Sequence, residues 1–169
     1  MSVETIIGAT QYLTFKLAEE VFAIQISKVR EVLEYTPMTK VPRTPDFMRG
    51  VINLRGNVVP VIDLRLKFGM PPTERTINTC IIIMEVAVND ETLVIGALAD
   101  SVQEVVEIDP EKIEPAPRIG TNLNIEFLEG MGKRDDDFVM ILDIDEVFSG
   151  EEVAIVQKSS GENQTEKAE

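Results

Sequence analysis

The chain repeats itself, and the repeat limits what it can fold into. Displaced by 73 residues, SKVREVLEYTPMTKVP lies over DSVQEVVEIDPEKIEP, so that Val29 meets Val102, Glu31 meets Glu104, Val32 meets Val105, Glu34 meets Glu107, Pro37 meets Pro110 and Pro42 meets Pro115. Displaced by 80, Phe47 meets Phe127, Gly50 meets Gly130, Asp63 meets Asp143 and Phe68 meets Phe148. Two successive windows in the same order favour a duplicated unit. Each unit carries about five short apolar strands with turn signals between them, which predicts a small barrel. A unit of about 70 residues buries a meagre core alone. The expectation is therefore a mainly β chain of two pseudo-symmetric five-stranded barrels sharing an apolar interface. They form one domain over residues 10–150, with units at approximately 10–70 and 77–150 and with strand exchange between them allowed for. Residues 1–9 read as an N-terminal tail.

Local signals place the elements. Tyr12–Leu17 and Val21–Ile26 flank Ala18-Glu19-Glu20 and read as a hairpin. Ser27-Lys28-Val29 reads as one helical turn. Val29–Tyr35 fits a helix face through Ile26, Val29 and Leu33, or a strand face through Val29, Glu31, Leu33 and Tyr35. The strand is preferred, because Val32 and Tyr35 favour extended structure and Pro37 cuts a helix short. Pro42–Pro45 is a turn, and Asp46–Arg49 is expected to form a helical turn closed by Gly50. Val51–Leu54 and Val58–Ile62 make a tight hairpin around Arg55-Gly56-Asn57, with Gly and Asn tolerating positive φ. Asp63 caps a helical turn Leu64–Phe68 that Gly69 ends. After Pro71–Arg75, a second hairpin joins Thr79–Val88 to Thr92–Ala97, and Ser101–Ile108 follows. An extended prolyl segment around Pro110, Pro115 and Pro117 leads on. Then come a charged loop at Asp135–Asp137, a strand Phe138–Leu142 and a helical turn Asp143–Phe148. The segment from Lys158 is polar and reads as a disordered tail.

Composition removes several functions. There is no histidine and no tryptophan, which excludes histidine-dependent triads, imidazole bases and histidine metal ligands, and disfavours stacking platforms for nucleic acid. The lone Cys80 lies in CIIIMEV and reads as a buried thiol that forms no intramolecular disulfide. No apolar run approaches the roughly 20 residues of a bilayer span, and the start lacks a basic region before a signal-type core. A cytoplasmic protein without direct membrane insertion is expected. The net charge is −14, unevenly spread. Residues 28–75 hold nine of the 16 Lys and Arg against five acids, whereas residues 76–169 hold six against 22. That split predicts an electropositive face for an acidic protein surface and argues against nucleic acid.

Few catalytic constellations remain. Neither a phosphate-cradling Gly-rich loop nor GxSxG occurs. Asp143 with Asp145, and Asp135–Asp137, are paired carboxylates, better explained as a helix cap and a solvated loop. No enzyme, cofactor or metal is expected. Binding residues are easier to nominate. Ile26, Val29 and Val32 form an apolar set, with Val102 and Val105 at equivalent places in the second unit. A groove between the barrels lined by these residues suits the apolar face of a helix. Glu31 and Arg55 are candidates for a fixed ion pair beside it, although Arg55 equally suits a solvated turn.

GVINLRGNVVPVIDLRLKF resembles the signature of CheW, the coupling-protein family of bacterial chemotaxis. YLTFKL through FAIQISKVREVLE, VPRTPDFMRG, GALADSVQEVVEI, IEPAP and VMILDIDEVF agree with it, so that the resemblance spans roughly residues 10–150. It implies a two-barrel SH3-like fold and a non-catalytic adaptor at receptor arrays on the inner face of the membrane. The implied partners are the cytoplasmic hairpin tip of methyl-accepting chemoreceptors and the regulatory domain of the histidine kinase CheA. Carried over, receptor binding falls to Ile26, Val29, Glu31, Val32, Arg55 and Val102, and the kinase-facing side to Gly50 and Gly56. A free-standing paralogue serving another pathway shares every one of these features. The isolated chain is expected to be a monomer, because its halves bury each other.

Overall fold

In the computed structural model, residues 10–88, 90–115, 127–134 and 137–148 are described. The two tails, much of the prolyl segment and Asp135–Asp136 lie outside these residues. Ten strands run in order: β1 (Thr10–Leu17), β2 (Glu20–Gln25), β3 (Val29–Glu34), β4 (Met48–Leu54), β5 (Asn57–Asp63), β6 (Cys80–Val88), β7 (Glu91–Ala99), β8 (Ser101–Ile108), β9 (Leu128–Arg134) and β10 (Asp137–Leu142). Single helical turns, α1 (Leu64–Lys67) and α2 (Ile144–Val147), follow β5 and β10. Short 3₁₀ turns occupy Ile26–Lys28 and Pro110–Lys112.

The strands form two five-stranded sheets, in the orders β8-β1-β2-β10-β9 and β3-β6-β7-β5-β4. With β1–β5 taken as the first unit and β6–β10 as the second, both orders are the same sequence of places. Each sheet, however, takes its central hairpin from one unit and its other three strands from the other. The hairpin β1–β2 sits among β8, β9 and β10, and β6–β7 sits among β3, β4 and β5. Each exchanged hairpin meets the other unit through one parallel pair, Phe22 beside Met140 and Gly96 beside Val61, and through one antiparallel pair, β1 with β8 and β6 with β3.

Three apolar clusters hold this arrangement. Ile52, Val59, Val61, Ile81, Ile83 and Leu98 cover the face of one sheet that is turned away from the other sheet. Tyr12, Ala23, Ile108, Val139 and Ile141 cover the corresponding face of the other. The largest cluster lies between the sheets, where Leu13, Phe15, Phe22 and Ile24 meet Ile82, Met84, Val86 and Ala97. Along β6, Ile81 and Ile83 belong to one cluster and Ile82 and Met84 to the other. This is why CIIIMEV is a continuous apolar run: both faces are buried. Stacked rings of Phe15, Phe22 and Phe68, with Phe127 tilted beside them, cross the central layer at centroid spacings of 6.0, 5.8 and 5.7 Å. Cys80 is buried at its margin, and burial pushes its thiol pKa up, so it is a poor nucleophile.

Three details differ from the sequence expectations. Asp46–Arg49 is not a helical turn: after a turn at Asp46-Phe47, Met48 already belongs to β4. The two-residue hairpin turn is Arg55-Gly56, at φ 52° and 87°, and Asn57 is the first residue of β5. Asn53 Oδ1 accepts from the Gly56 amide at 2.8 Å, which helps hold Arg55 in a conformation uncommon outside glycine. Asp63 does cap α1, accepting from the Arg65 amide at 3.0 Å, but it does much more. Its buried carboxylate also accepts from Arg49 Nη1 (2.9 Å), the Thr73 amide (2.9 Å) and Thr73 Oγ1 (2.7 Å). A bulge makes this reachable: Met48 pairs with Ile62 and Gly50 with Val61, leaving Arg49 as the extra residue. The second unit repeats the bulge with Glu129 as the extra residue, and among the described residues Asp143 accepts a capping bond from the Glu146 amide at 3.3 Å.

Replacing these two aspartates separates the roles. Asp63→Ala strands the buried Thr73 donors and the Arg49 charge, and is expected to cost about 2–4 kcal/mol. Asp143→Ala loses a cap and is expected to cost about 1 kcal/mol. Chemical denaturation of both variants checks the difference.

Candidate functional site

The outermost strands β3 and β8 carry the nominated apolar residues, and bulges decide where those residues point. In a regular strand, positions three apart face opposite ways. In β3, Val29 pairs with Met84 and Val32 with Ile82, two residues apart on β6. In β8, Val102 pairs with Phe15 and Val105 with Leu13, again two apart on β1. Paired residues share a face, and all four partners belong to the central cluster. Each bulge therefore turns both of its valines toward the inter-sheet side. Thr14 pins the bulge in β8: its buried hydroxyl donates to the Glu104 carbonyl at 2.7 Å and accepts from the Glu104 amide at 3.1 Å.

The structure brings Ile26, Val29 and Val102 together as half-buried residues on the rim of the central cluster. Val32 and Val105 continue the same faces but are 42% and 48% exposed. Glu31, between Val29 and Val32, has the other facing. Its register partner is Ile83 of the cluster on the face turned away from the other sheet, and its carboxylate reaches the tip of the β4–β5 hairpin. Arg55 Nη1 and Nη2 donate to Glu31 Oε2 and Oε1 at 2.7 and 2.9 Å, a bidentate pair. The pair links β3 to the β4–β5 turn, and β3 and β4 are the two outer strands of one sheet. The Arg55 side chain remains 69% exposed, so the contact fixes a direction while leaving charge available. The hydrogen bond from Arg55 and its positive charge hold the Glu31 carboxyl below the usual carboxylate range.

The two nominated glycines lie in different environments. Gly50 is buried in β4, where a Cβ would stand 2.6 Å from the Thr39 carbonyl oxygen. Thr39 exchanges two backbone hydrogen bonds with Val51 there, at 2.9 and 2.8 Å. Gly130 repeats this contact against Glu114. Gly56 is exposed beside Arg55, with open space around it.

The basic excess of residues 28–75 is largely used within the chain. Lys28 pairs with Asp145, Arg30 with Glu85, Arg49 with Asp63, Arg55 with Glu31 and Arg65 with Asp100. Arg75 lies over the Tyr35 ring, 4.5 Å from its centroid, and Lys67 over that of Phe47 at the same distance. Five of the nine cations of that segment thus sit in ion pairs, of which Arg55 is the most exposed. The nominated carboxylate pair Asp143 and Asp145 divides likewise: Asp143 caps α2, and Asp145 binds Lys28 and the Ala87 amide. Sequence reasoning passed over Asp63 and Arg49 as a buried node. The only signal was an Arg beside the glycine of one unit where the other has Glu129.

The class defined by this architecture is an internally duplicated protein of two exchanged β sheets. Residues 11–152 match the CheW-like domain, and the chain belongs to that family of chemotaxis scaffold and adaptor proteins. It is 38% identical over 146 residues to the chemotaxis protein CheW of Klebsiella aerogenes, covering 86% of each chain. It is 36% identical to that of Helicobacter pylori, covering 82% of this chain and 81% of the relative. The crystal structure of the scaffolding protein TtCheW from Thermoanaerobacter tengcongensis superposes with a TM-score of 0.74 at 36% identity, covering 85% of this chain and 90% of that one. No helix among the described residues is long and apolar enough to cross a membrane.

Glu31 and Glu129 are expected to titrate in opposite directions. Desolvation by neighbouring groups raises the carboxyl of the otherwise exposed Glu129, and Asp143 reinforces that rise. The stabilisation from Glu31 is complete above the ordinary glutamate pKa and disappears as pH falls through its lowered folded value. Ionised Glu129 weakens the fold, and that penalty is relieved as pH falls through its raised value. Carboxyl-carbon NMR should show Glu129 protonating at higher pH than Glu31. The reverse order would refute the assignment.

Proposed function

We propose that this chain couples methyl-accepting chemoreceptors to the histidine kinase CheA as a non-catalytic adaptor. The observation that carries the reading is the bidentate Glu31–Arg55 pair. It fixes a charged hairpin tip to the strand that bears Val29 and Val32. A rigid, exposed guanidinium beside a half-buried apolar rim suits an amphipathic helical hairpin such as a chemoreceptor tip. Ile26, Val29, Val32 and Val102 supply the apolar contact, and Glu31 and Arg55 supply orientation. Gly56, by allowing the tight turn, and Gly50, by admitting the Thr39 carbonyl, shape the hairpin side assigned to the CheA regulatory domain. Residues 10–150 act as one unit, monomeric in isolation, in the cytoplasm and recruited to receptor arrays. Signal passes as a change in relative geometry between partners held on separate faces.

Chemical-shift titration of the labelled protein tests this, first with a receptor-tip hairpin peptide and then with the CheA regulatory domain. Two distinct perturbed faces are expected, the first including Ile26, Val29 and Val102. One shared face with mutual competition would refute the division. Arg55→Asp should place two carboxylates together, weaken coupling at least tenfold and leave the fold intact, since the pair it breaks is a surface pair. Full kinase activation by the folded variant would sink the role given to Arg55.

A further inference from the structure

Two ion pairs tie the helical turns to the chain crossovers between the sheets, and their polarity is reversed. After β5, the helical turn α1 presents Arg65, whose Nη1 lies 3.2 Å from Asp100 Oδ2 just ahead of β8 in the other sheet. After β10, α2 presents Asp145, whose Oδ2 lies 3.0 Å from Lys28 Nζ just ahead of β3. Arg65 and Asp145 are the same position of the repeat, two residues beyond the capping aspartates Asp63 and Asp143. Each carboxylate also accepts a backbone amide from a first hairpin: Ala18 to Asp100 Oδ2, and Ala87 to Asp145 Oδ1, at 2.5 and 2.8 Å.

The two pairs are not equally placed. Arg65 and Asp100 are 17% and 23% exposed, Lys28 and Asp145 32% and 37%. A pair that open contributes little to stability. Its position is what matters. Lys28 ends the 3₁₀ turn Ile26–Lys28, so that it directly follows Ile26 and Ser27 and directly precedes Val29. No residue of that turn is buried, and no side chain caps its start. Asp145 reaches the turn through Lys28, and β6 through the Ala87 amide.

We propose that Asp145 is a positioning residue. By holding Lys28 and the Ala87 amide together, it sets the Ile26–Lys28 turn against the opposite sheet and so fixes Ile26 and Val29 on the apolar rim. The functional consequence rests on the adaptor reading; the structural one does not. Asp145 acts without touching the receptor, and it makes the C-terminal helical turn of one sheet a support for the binding strand of the other.

Asp145→Lys and Asp145→Asn test this, with amide exchange and peptide affinity read on the same samples. Asp145→Lys should accelerate exchange at residues 26–29 and weaken the receptor-tip peptide about fivefold, roughly 1 kcal/mol. Binding of the CheA regulatory domain should stay unchanged. Asp145→Asn keeps an oxygen for the Ala87 amide and should give a smaller change of the same sign. Unchanged exchange at residues 26–29 in Asp145→Lys would overturn the proposal, with or without a loss of affinity. If Asp145→Lys does not fold, Asp145→Asn and Lys28→Met carry the same readings, and normal exchange in both would overturn it. A wild-type chain that fails to bind the peptide would refute the adaptor reading, while its exchange pattern still decides the role of Asp145.

Discussion

The apolar layer between the two sheets is the contact on which the rest of the structure depends. Neither face turned away from it buries more than a small cluster, Ile52, Val61 and Ile83 among the residues of one and Tyr12, Val139 and Ile141 among those of the other, too little for a sheet to stand alone. The central layer adds the larger body of aliphatic and aromatic groups, and it also buries the helical turns through Leu64 and Ile144. Polar contacts then refine a geometry that burial has already chosen. Arg65–Asp100 and Lys28–Asp145 orient one sheet on the other, and Glu31–Arg55 ties a hairpin tip to an outer strand.

The two units have kept their backbone and exchanged their charges. Both bulges of the first unit recur in the second, as do the glycines that admit a passing carbonyl and the aspartates that cap the helical turns. Arg49 becomes Glu129, Arg65 becomes Asp145, and Arg55 becomes Asp135. Apolar spacing and glycines specify the scaffold, so they are held in common. Charge at the same places distinguishes one face from another, as recognition of different proteins requires.

Much of this was legible in the chain. The hairpins, the strand at Val29 and the caps at Asp63 and Asp143 follow from local rules of spacing and turn chemistry, and the duplication from self-similarity, whereas Glu31 with Arg55 was one of two readings that the sequence left open. The bulges were not legible. An extra residue leaves no compositional mark, and its effect, which turns Val29 and Val32 to one side, appears only against the register of β6. The Asp63 node was hidden for a related reason: Thr73 reaches it across a prolyl connection with no periodicity of its own. The net charge of residues 28–75 does not say where each cation is paired, since the acids that meet Lys28, Arg30 and Arg65 lie far along the chain.

The exchanged hairpins bear on how the chain is made. Of these ten strands the hairpin β1–β2 is synthesised before the rest, and it finds its neighbours in β8 and β10, where Thr10 stands opposite Ile108 and Phe22 beside Met140. Until those strands are synthesised, its two long edges are unsatisfied and exposed to other nascent chains. The sheet made of β3–β7 can assemble earlier, because its members are contiguous in sequence. Synthesis therefore runs from a sheet that is complete in mid-chain to one that closes only when the C-terminal strands arrive. Contacts of such long sequence separation form slowly, and the N-terminal hairpin is the segment most in need of protection during that interval.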